Sequence, residues 1–393
     1  MKILFVTRGF PTEQDPMAGN YEAVQARAIA AKGHEVSVIG IKWRSIFHLL
    51  ECRKVQHRVD NGVNVYTCVR VMNAVRVIPF FPKELLPKIT LSLHKKAFEK
   101  VYKRYVEENG IPDIVHIHSL HAAPAIIALK EHTNIPVVIT EHWSKVLYDN
   151  IPDGYRRKID YWGKICYPLA DSVIAVSDAL ANAINKRFGV RCGVINNMVE
   201  KRFFRTAISG NPHKGFRFIS VGSLFATKGY DTLIEAFSKL SDDVDVSLDI
   251  VGKGTEYDSL QRLINDRGQQ KRIRLAGVKP PEEVARMLED ADCFVLASHS
   301  ETFGIVFIEA MAKGLPVIAT RCGGPEEIVN KENGKLVDVG DIDGLANALE
   351  FMIKHKATFD KDKIRKFCYD NYSENVIADK IVGVYKELIN KRL

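Results

Sequence analysis

The sequence predicts an α/β protein built from two doubly wound parallel-sheet domains, and three observations carry that expectation. Short apolar runs rich in Val and Ile alternate with amphipathic stretches of helical period, as in βαβ units wound around a parallel sheet. The pattern begins twice, once at Lys2 and again at Arg217. A chain of 393 residues accommodates two domains, each burying its own core.

In the first half, Lys2 to Val6 reads as a strand and the glycine-containing loop Pro11 to Asn20 leads into a helix over Tyr21 to Ala31. Gly33 ends that helix, and Glu35 to Ile39 forms the next strand. Strand Asp113 to Ile117 ends in His118-Ser119, with His121 close behind; strand Pro136 to Ile139 runs into Thr140-Glu141-His142-Trp143. In the second half, Arg217 to Val221 ends at Gly222, the loop Ser223 to Gly229 follows, and the helix Asp231 to Leu240 leads to strand Ser247 to Val251. Strand Cys293 to Ala297 opens into Ser298 to Gly304, and a short helix over Ile305 to Lys313 closes at Gly314. The boundary is expected in the polar stretch 199–213, which contains Gly210, Asn211 and Pro212, giving domains 1–200 and 201–372. Beyond Ser373, Ile377, Ile381, Val384, Tyr385 and Leu388 define a final amphipathic helix.

Composition is that of a soluble globular protein, 46% hydrophobic and 26% charged. The opening Met1 to Arg8 is too short an apolar stretch for a signal peptide and has no small-residue cleavage site. No run approaches the roughly 18 apolar residues of a membrane-spanning helix. Seven cysteines stand singly, without the spacing of a zinc site or a redox motif, so reduced thiols in a cytoplasmic protein are expected.

Ligands of doubly wound sheets bind outside the carboxyl ends of the strands, so chemistry is sought there. Glu309 is the strongest anomaly: it shares a helix face with Ile305, Ile308 and Ala312. A carboxylate on an apolar face needs donors, either a neighbouring protein group or a ligand hydroxyl pair. Glu301 lies in the strand-to-helix loop, where the amides of Thr302, Phe303, Gly304 and Ile305 suit an anion at a helix N-terminus. Lys228, just before a helix, is either a solvated surface lysine or a point charge for phosphate. Gly252-Lys253-Gly254 fits neither a Walker loop nor a dinucleotide fingerprint, since Ser247, Gly254 and Tyr257 occupy deciding positions. The Asp-x-Asp pairs at 243/245, 290/292, 341/343 and 360/362 precede strands or sit in polar loops, and the histidines of 116–142 lack a completing thiol or acid, so no metal is expected.

Together these residues resemble the family 4 retaining glycosyltransferases of the two-domain GT-B fold, over nearly the whole chain. The most specific element is Glu301-x7-Glu309 within Ser300 to Ala312, continued by Gly314 to Thr320, Gly323 to Val329 and Asn333-Gly334. The resemblance implies two Rossmann-like domains facing across a cleft, an N-terminal acceptor domain, a C-terminal donor domain, and a final helix over 373–393 crossing back to the first. It implies transfer of a hexose-type sugar from a nucleoside-diphosphate sugar to a glycan or lipid-linked acceptor, with retention and without a metal or other cofactor, in cell-surface polysaccharide or glycolipid synthesis.

Carried over residue by residue, Glu301 would meet donor sugar hydroxyls, Glu309 the ribose, and Lys228 the diphosphate with the amides of 302–305. Gly19 and Asn20 would approach the phosphates, His142 the anomeric carbon, and Gly252 and the turn at Gly277-Val278 the nucleoside. Two departures stand out. Ser223 occupies a position where the family often has Arg, so that Ser223 itself or Arg8 would supply the missing contact, and the usual Gly-Gly is Ala18-Gly19. No carboxylate is placed on the acceptor side with Glu141 a minor candidate, so front-face displacement is favoured over a covalent intermediate. Alternatives are an inverting transferase or a sugar-nucleotide epimerase of the same fold, or a nucleotide-sugar binding protein without turnover.

Net charge is +8, and residues 1–200 carry all of it, with 27 basic and 19 acidic side chains against 29 and 29 in the remainder. Residues 41–104 alone hold 14 basic and 4 acidic groups, including Lys42-Trp43-Arg44 and Arg53-Lys54. Around His94 to Val106 a helix sets Phe98, Val101, Tyr102 and Tyr105 on one face and Lys96, Lys100, Lys103 and Arg104 largely on another. So localised an excess argues against nucleic acid. It is either an ordinary solvated face or a peripheral contact with the anionic inner face of the cytoplasmic membrane.

Overall fold

The computed structural model describes residues 1–13, 15, 18–44, 55–71, 82–148, 151–205 and 213–392. The chain divides into two compact units, Met1–Asn196 with Ile377–Leu393, and Asn197–Val376.

The first unit contains β1 (Lys2–Thr7), α1 (Asn20–Ala30), β2 (Glu35–Arg44), β3 (Gln56–Asp60), β4 (Val63–Val71), α2 (Leu86–Asn109), β5 (Ile114–His118), α3 (Ala125–His132), β6 (Val137–Glu141), α4 (Asp153–Cys166), β7 (Ser172–Ala175), α5 (Asp178–Phe188) and β8 (Gly193–Val194). Its sheet has the order β3-β4-β2-β1-β5-β6-β7-β8. Every pairing is parallel except β3 with β4. That antiparallel hairpin is absent from the sequence expectation. It turns at Asn61 and Gly62, with φ of 46° and 81°, a dipeptide whose positive φ values match the twist of a tight hairpin.

In the second unit lie α6 (Lys201–Phe204), β9 (Phe216–Val221), α7 (Tyr230–Phe237), β10 (Val246–Val251), α8 (Tyr257–Asp266), β11 (Ile273–Gly277), α9 (Pro281–Glu289), β12 (Cys293–Leu296), α10 (Ile305–Ala312), β13 (Val317–Thr320), α11 (Pro325–Ile328), β14 (Gly334–Val337), α12 (Ile342–Lys354) and α13 (Lys361–Tyr372). The order β11-β10-β9-β12-β13-β14, all parallel, is the doubly wound order in which the chain reverses direction beside its first strand. The reversal falls between β9 and β12. In the first unit it falls between β1 and β5.

Strands β1, β5, β6, β12 and β13 are buried along nearly their whole length, as a sheet covered on both faces requires. Helix ends follow local chemistry: the Ser177 hydroxyl accepts from the Leu180 amide at the start of α5, and Gly189 ends that helix with φ 69°. The last helix, α14 (Glu374–Asn390), buries Ile377, Ile381 and Tyr385.

The units meet in sequence at Asn196–Asn197, ahead of the expected 200. The reason is local: the Val199 amide donates to the Tyr372 carbonyl at 2.8 Å and the Lys201 amide to Glu374 Oε1 at 2.8 Å, tying 199–201 to the second unit. The chain returns to the first unit at Ile377 rather than 373. Gly210, Asn211 and Pro212 of the expected linker lie outside the described residues.

Candidate functional site

The second unit places Lys228 after β9 and Glu301 after β12, one on each side of its reversal point. Lys228 ends a turn of 3-10 helix over Ala226–Lys228. Gly229 follows with φ 61°, and a Cβ there would stand 2.0 Å from the Ala297 carbonyl oxygen, so only glycine lets this loop press against the end of β12. The His299 amide donates to the Thr227 carbonyl at 2.9 Å and completes the clasp. As a result Lys228 Nζ lies 2.5 Å from Glu301 Oε1, which also accepts from the Ser298 hydroxyl at 2.9 Å.

Glu301 is itself held from the far side. The Gly324 amide donates to its carbonyl at 3.0 Å, and Gly324 packs so closely on Phe303 that a Cβ would meet backbone at 2.3 Å. The Gly323-Gly324 pair is thus a support for the glutamate loop, and Ser298 is a further partner that the sequence reading did not single out. Gly304, with φ 94°, opens α10 without any side-chain cap, leaving the first amides of that helix for another acceptor. Phe303 is buried and packs its ring 5.7 Å from that of Tyr372, so its backbone alone is available; Thr302 and Ile305 are half-buried.

Glu309 stands on α10, one turn after its start. It is half-buried, and among the described residues no protein group donates a hydrogen bond to its carboxylate. Burial, then the charge of Glu200, pushes its carboxyl up to about 8, against a smaller opposing effect of Arg202. The protein-partner alternative therefore finds no support, and a ligand hydroxyl pair remains a chemically suitable partner.

Ser223 is exposed after β9, and Val278 is an exposed apolar residue after β11. Gly252 and Gly19 have internal reasons to be glycine. A Cβ at Gly252 would meet the Gly222 oxygen at 1.8 Å, and one at Gly19 the Gly9 oxygen at 2.2 Å. Gly19 begins α1 without a side-chain cap, and Asn20 is that helix's first residue.

In the first unit His142 follows β6. Its amide and that of Trp143 donate to Glu141 Oε1 at 2.9 and 2.8 Å, while the Leu120 amide and the Tyr167 hydroxyl donate to Oε2 at 2.8 and 2.7 Å. Glu141 is fully buried with every donor supplied by protein. That makes it an anchor of the His142 loop, and its minor candidacy as a nucleophile is withdrawn. Behind it runs a line of rings: His142 Nε2 lies 3.2 Å from His118 Nδ1, the His116 and His118 rings are 4.1 Å apart, and His116 bonds Thr140 Oγ1 at 2.7 Å and the Tyr385 hydroxyl of α14. Burial first, then neighbouring histidines, holds His116 down at about 3 and His118 well below its ordinary range, so both rings are neutral. Ser119, directly after β5, adopts φ 69°, backbone strain of the kind that collects at functional loops.

Among the described residues, Glu99, Glu131 and His132 alone bring three possible metal-ligating atoms together, and Lys95 pairs with both glutamates there. Asp341 and Asp360 cap α12 and α13, and Asp292 is buried against Lys356 at 2.6 Å, so these acids have structural work. Six of the seven cysteines are free; Cys52 lies outside the described residues.

Comparison with known proteins agrees with this layout. Residues 202–373 match the family described as glycosyl transferases group 1, and residues 19–202 match glycosyltransferase family 4. An uncharacterized glycosyltransferase of Methanocaldococcus jannaschii is 30% identical over 298 residues, 74% of this chain and 79% of that protein. Among solved structures, sucrose-phosphate synthase of Thermosynechococcus elongatus superposes with a TM-score of 0.78 at 21% identity, covering 99% of each chain. Anabaena HepE, solved in complex with UDP-glucose, superposes at 0.72 with 20% identity, covering 98% of this chain and 100% of its own. The structural likenesses establish the GT-B fold, and the sequence relationship establishes more: this chain belongs to glycosyltransferase family 4 and is a glycosyltransferase.

Proposed function

We propose that the enzyme moves a hexose-type sugar from a nucleoside-diphosphate sugar to a glycan or lipid-linked acceptor with retention at the anomeric carbon, and without a metal ion, in cell-surface polysaccharide or glycolipid synthesis. The observation that carries this reading is the pairing of Lys228 with Glu301 across the β9/β12 reversal, beside the uncapped start of α10. A cation beside the amides of a helix N-terminus is what a departing diphosphate needs; a carboxylate with spare lone pairs is what sugar hydroxyls need. HepE was solved with UDP-glucose, which supports a nucleotide-sugar donor.

In this reading Glu309 accepts from the ribose hydroxyls, Val278 and the Gly252 turn border the base, and Ser223, Gly19 and Asn20 border the phosphates. The bond from the anomeric carbon to the diphosphate oxygen breaks as the bond to the acceptor oxygen forms on the same face. The acceptor proton passes to the leaving phosphate. Lys228 and the α10 amides stabilise the charge on that phosphate, and His142, through its carbonyl or ring, stabilises positive character at the anomeric carbon.

Membrane association belongs to the same proposal. No described helix is long and apolar enough to cross a membrane. Helix α2 buries Ala97, Phe98, Val101 and Tyr105 and leaves Lys96, Lys100 and Lys103 exposed, a basic face suited to an anionic leaflet. Lys95 and Arg104 are instead tied to Glu131 and Glu108, and Arg53-Lys54 lie outside the described residues.

Thermal melting with a panel of nucleoside-diphosphate sugars tests the donor. A true donor at 100 times its dissociation constant stabilises by about 2.7 kcal/mol, whereas a flat response to the entire panel rejects the reading. Proton NMR of the product's anomeric centre then decides between retention and inversion.

A further inference from the structure

The first unit contains a cavity of about 400 Å³ that the donor chemistry leaves unused. It opens beside the β1/β5 reversal point, bounded by Arg8 after β1, His121 after β5, Trp143 and Lys145 after β6, and Lys158 of α4. Its size falls within the range of small-ligand pockets, about 300–1,000 Å³.

Two properties of the wall define the guest. The first is charge: Arg8, Lys145 and Lys158 all line the cavity, and among the described residues no carboxylate does. Glu22 lies near enough to Arg8 to feel its charge, but it is not part of the wall. Like charges around one concave space raise its potential, and an anion relieves that repulsion. The histidines report the same field. Burial first, then Lys158, pushes His94 down to about 3; burial, then Lys158 and Arg8, pushes His121 down to about 2.

The second property is flat apolar surface. Trp43 stacks on His94 with ring centroids 4.3 Å apart, Trp143 lies 3.9 Å from His121, and Tyr155 holds the Lys145 ammonium 3.4 Å above its face. Aromatic faces beside cations suit a sugar ring carrying an acidic group better than they suit an inorganic ion, which needs no faces.

We propose that this cavity binds the acceptor and that the acceptor is anionic, a hydroxylated ring bearing a carboxylate or a phosphate. The proposal rests on the transferase reading above, and it deepens that reading by naming the acceptor's chemical class. Arg8 and the two lysines hold the acidic group, while the aromatic walls fix the ring so that one hydroxyl is directed toward transfer.

Calorimetry on the full chain tests this, in the presence of saturating UDP, with three probes: glucose 6-phosphate, glucuronate and neutral methyl glucoside. The expected result is that at least one anionic probe binds about tenfold or more tightly than methyl glucoside, and that this preference shrinks as salt is raised. Whether phosphate or carboxylate is preferred identifies the source of the charge. Lys145→Gln and Lys158→Gln should each lose most of the preference while keeping wild-type UDP affinity and melting temperature, and Lys145→Arg should restore it.

Equal binding of all three probes, or unchanged preference in both Gln variants, overturns the proposal. So does competition between UDP and the anionic probe, because the cations would then serve the donor diphosphate. Binding of inorganic phosphate as tightly as glucose 6-phosphate overturns the ring-binding part. Failure of the wild-type protein to bind UDP is a separate result that counts against the donor reading and leaves the probe comparison intact.

Discussion

Lys228 Nζ and Glu301 Oε1 stand 2.5 Å apart, on loops 73 residues apart in sequence that are clasped where Gly229 leaves no room for a Cβ beside Ala297 and where the His299 amide donates to the Thr227 carbonyl. The side chains are 23% and 10% exposed, so the pair is neither a surface ornament nor a sealed internal bridge. Partly exposed pairs contribute about 1 kcal/mol or less to stability, whereas removing a donor to developing charge costs about 3–4 kcal/mol in the transition state. Lys228→Ala and Glu301→Ala should therefore lower turnover by about 10²–10³-fold with little change in melting temperature. Near-wild-type turnover in either variant would remove the pair from the mechanism.

Glu309 makes stability depend on pH. Its carboxyl is raised in the folded state to about 8 from an ordinary 4.5, so the folded protein holds a proton that the unfolded chain releases. This contribution is fully present below pH 4.5 and is lost as pH rises through 8. Complete burial would make it about 5 kcal/mol, and the exposure that remains reduces the expectation to about 1–3 kcal/mol. Glu309→Gln should flatten the decline in melting temperature between pH 5 and pH 8.5. A wild-type curve parallel to the variant's would contradict the assignment.

Gly229→Ala tests the clasp itself. The new methyl would need a left-handed φ and would meet the Ala297 carbonyl at 2.0 Å, so a loss of about 2 kcal/mol or more is expected. Activity should fall further than stability, because displacement of this loop carries Lys228 away from Glu301. Chemical denaturation and turnover measured on the same preparation separate the two effects.

Tyr385→Phe removes the hydroxyl that α14 places against His116. A neutral imidazole has one donor and one acceptor nitrogen, and here both are engaged, one by Tyr385 and the other by Thr140. Leaving one nitrogen unpaired in a fully buried ring should cost about 1–3 kcal/mol. Scanning calorimetry should register the loss in the transition of the first unit. A drop confined to the second unit would refute the placement.

The basic face of α2 makes a prediction about location. Replacing Lys96, Lys100 and Lys103 together by Glu should abolish co-sedimentation with phosphatidylserine vesicles at low salt and leave melting unchanged, since all three side chains are exposed. If the wild-type protein does not sediment with such vesicles, the membrane contact is dismissed outright.

Seven strands, β1, β2, β5, β6, β9, β10 and β12, were legible because the strands of a covered parallel sheet read as apolar runs, and the other seven were not read. Lys2 to Val6 and Cys293 to Leu296 are of that kind. The β3 strand escaped because Gln56 to Asp60 lies at a sheet edge, largely exposed, and has no apolar run to reveal it; the Asn61-Gly62 turn was the available signal. Glu301 and Lys228 were readable from their positions after strands, but their contact was not. It depends on a close approach between Gly229 and Ala297 that no spacing in the sequence encodes. Glu141 illustrates the opposite error: an acid beside a histidine looked chemically available, yet four protein donors occupy it. The cationic cavity was invisible because Arg8, Lys145 and Lys158 converge from three separate stretches of chain.

The return of α14 to the first unit imposes an order on synthesis. Residues 197–376 must leave the ribosome between the two parts of that unit, and at about 5–20 residues per second this takes roughly 10–40 s. Throughout that interval the first unit lacks Ile377, Ile381 and Tyr385, three side chains that finish 0–2% exposed in its interior. The second unit has no such debt and can fold as soon as its own chain emerges. Maturation of the nascent enzyme is therefore expected to run from the later-made unit back to the earlier one, with a gap of apolar surface awaiting its plug.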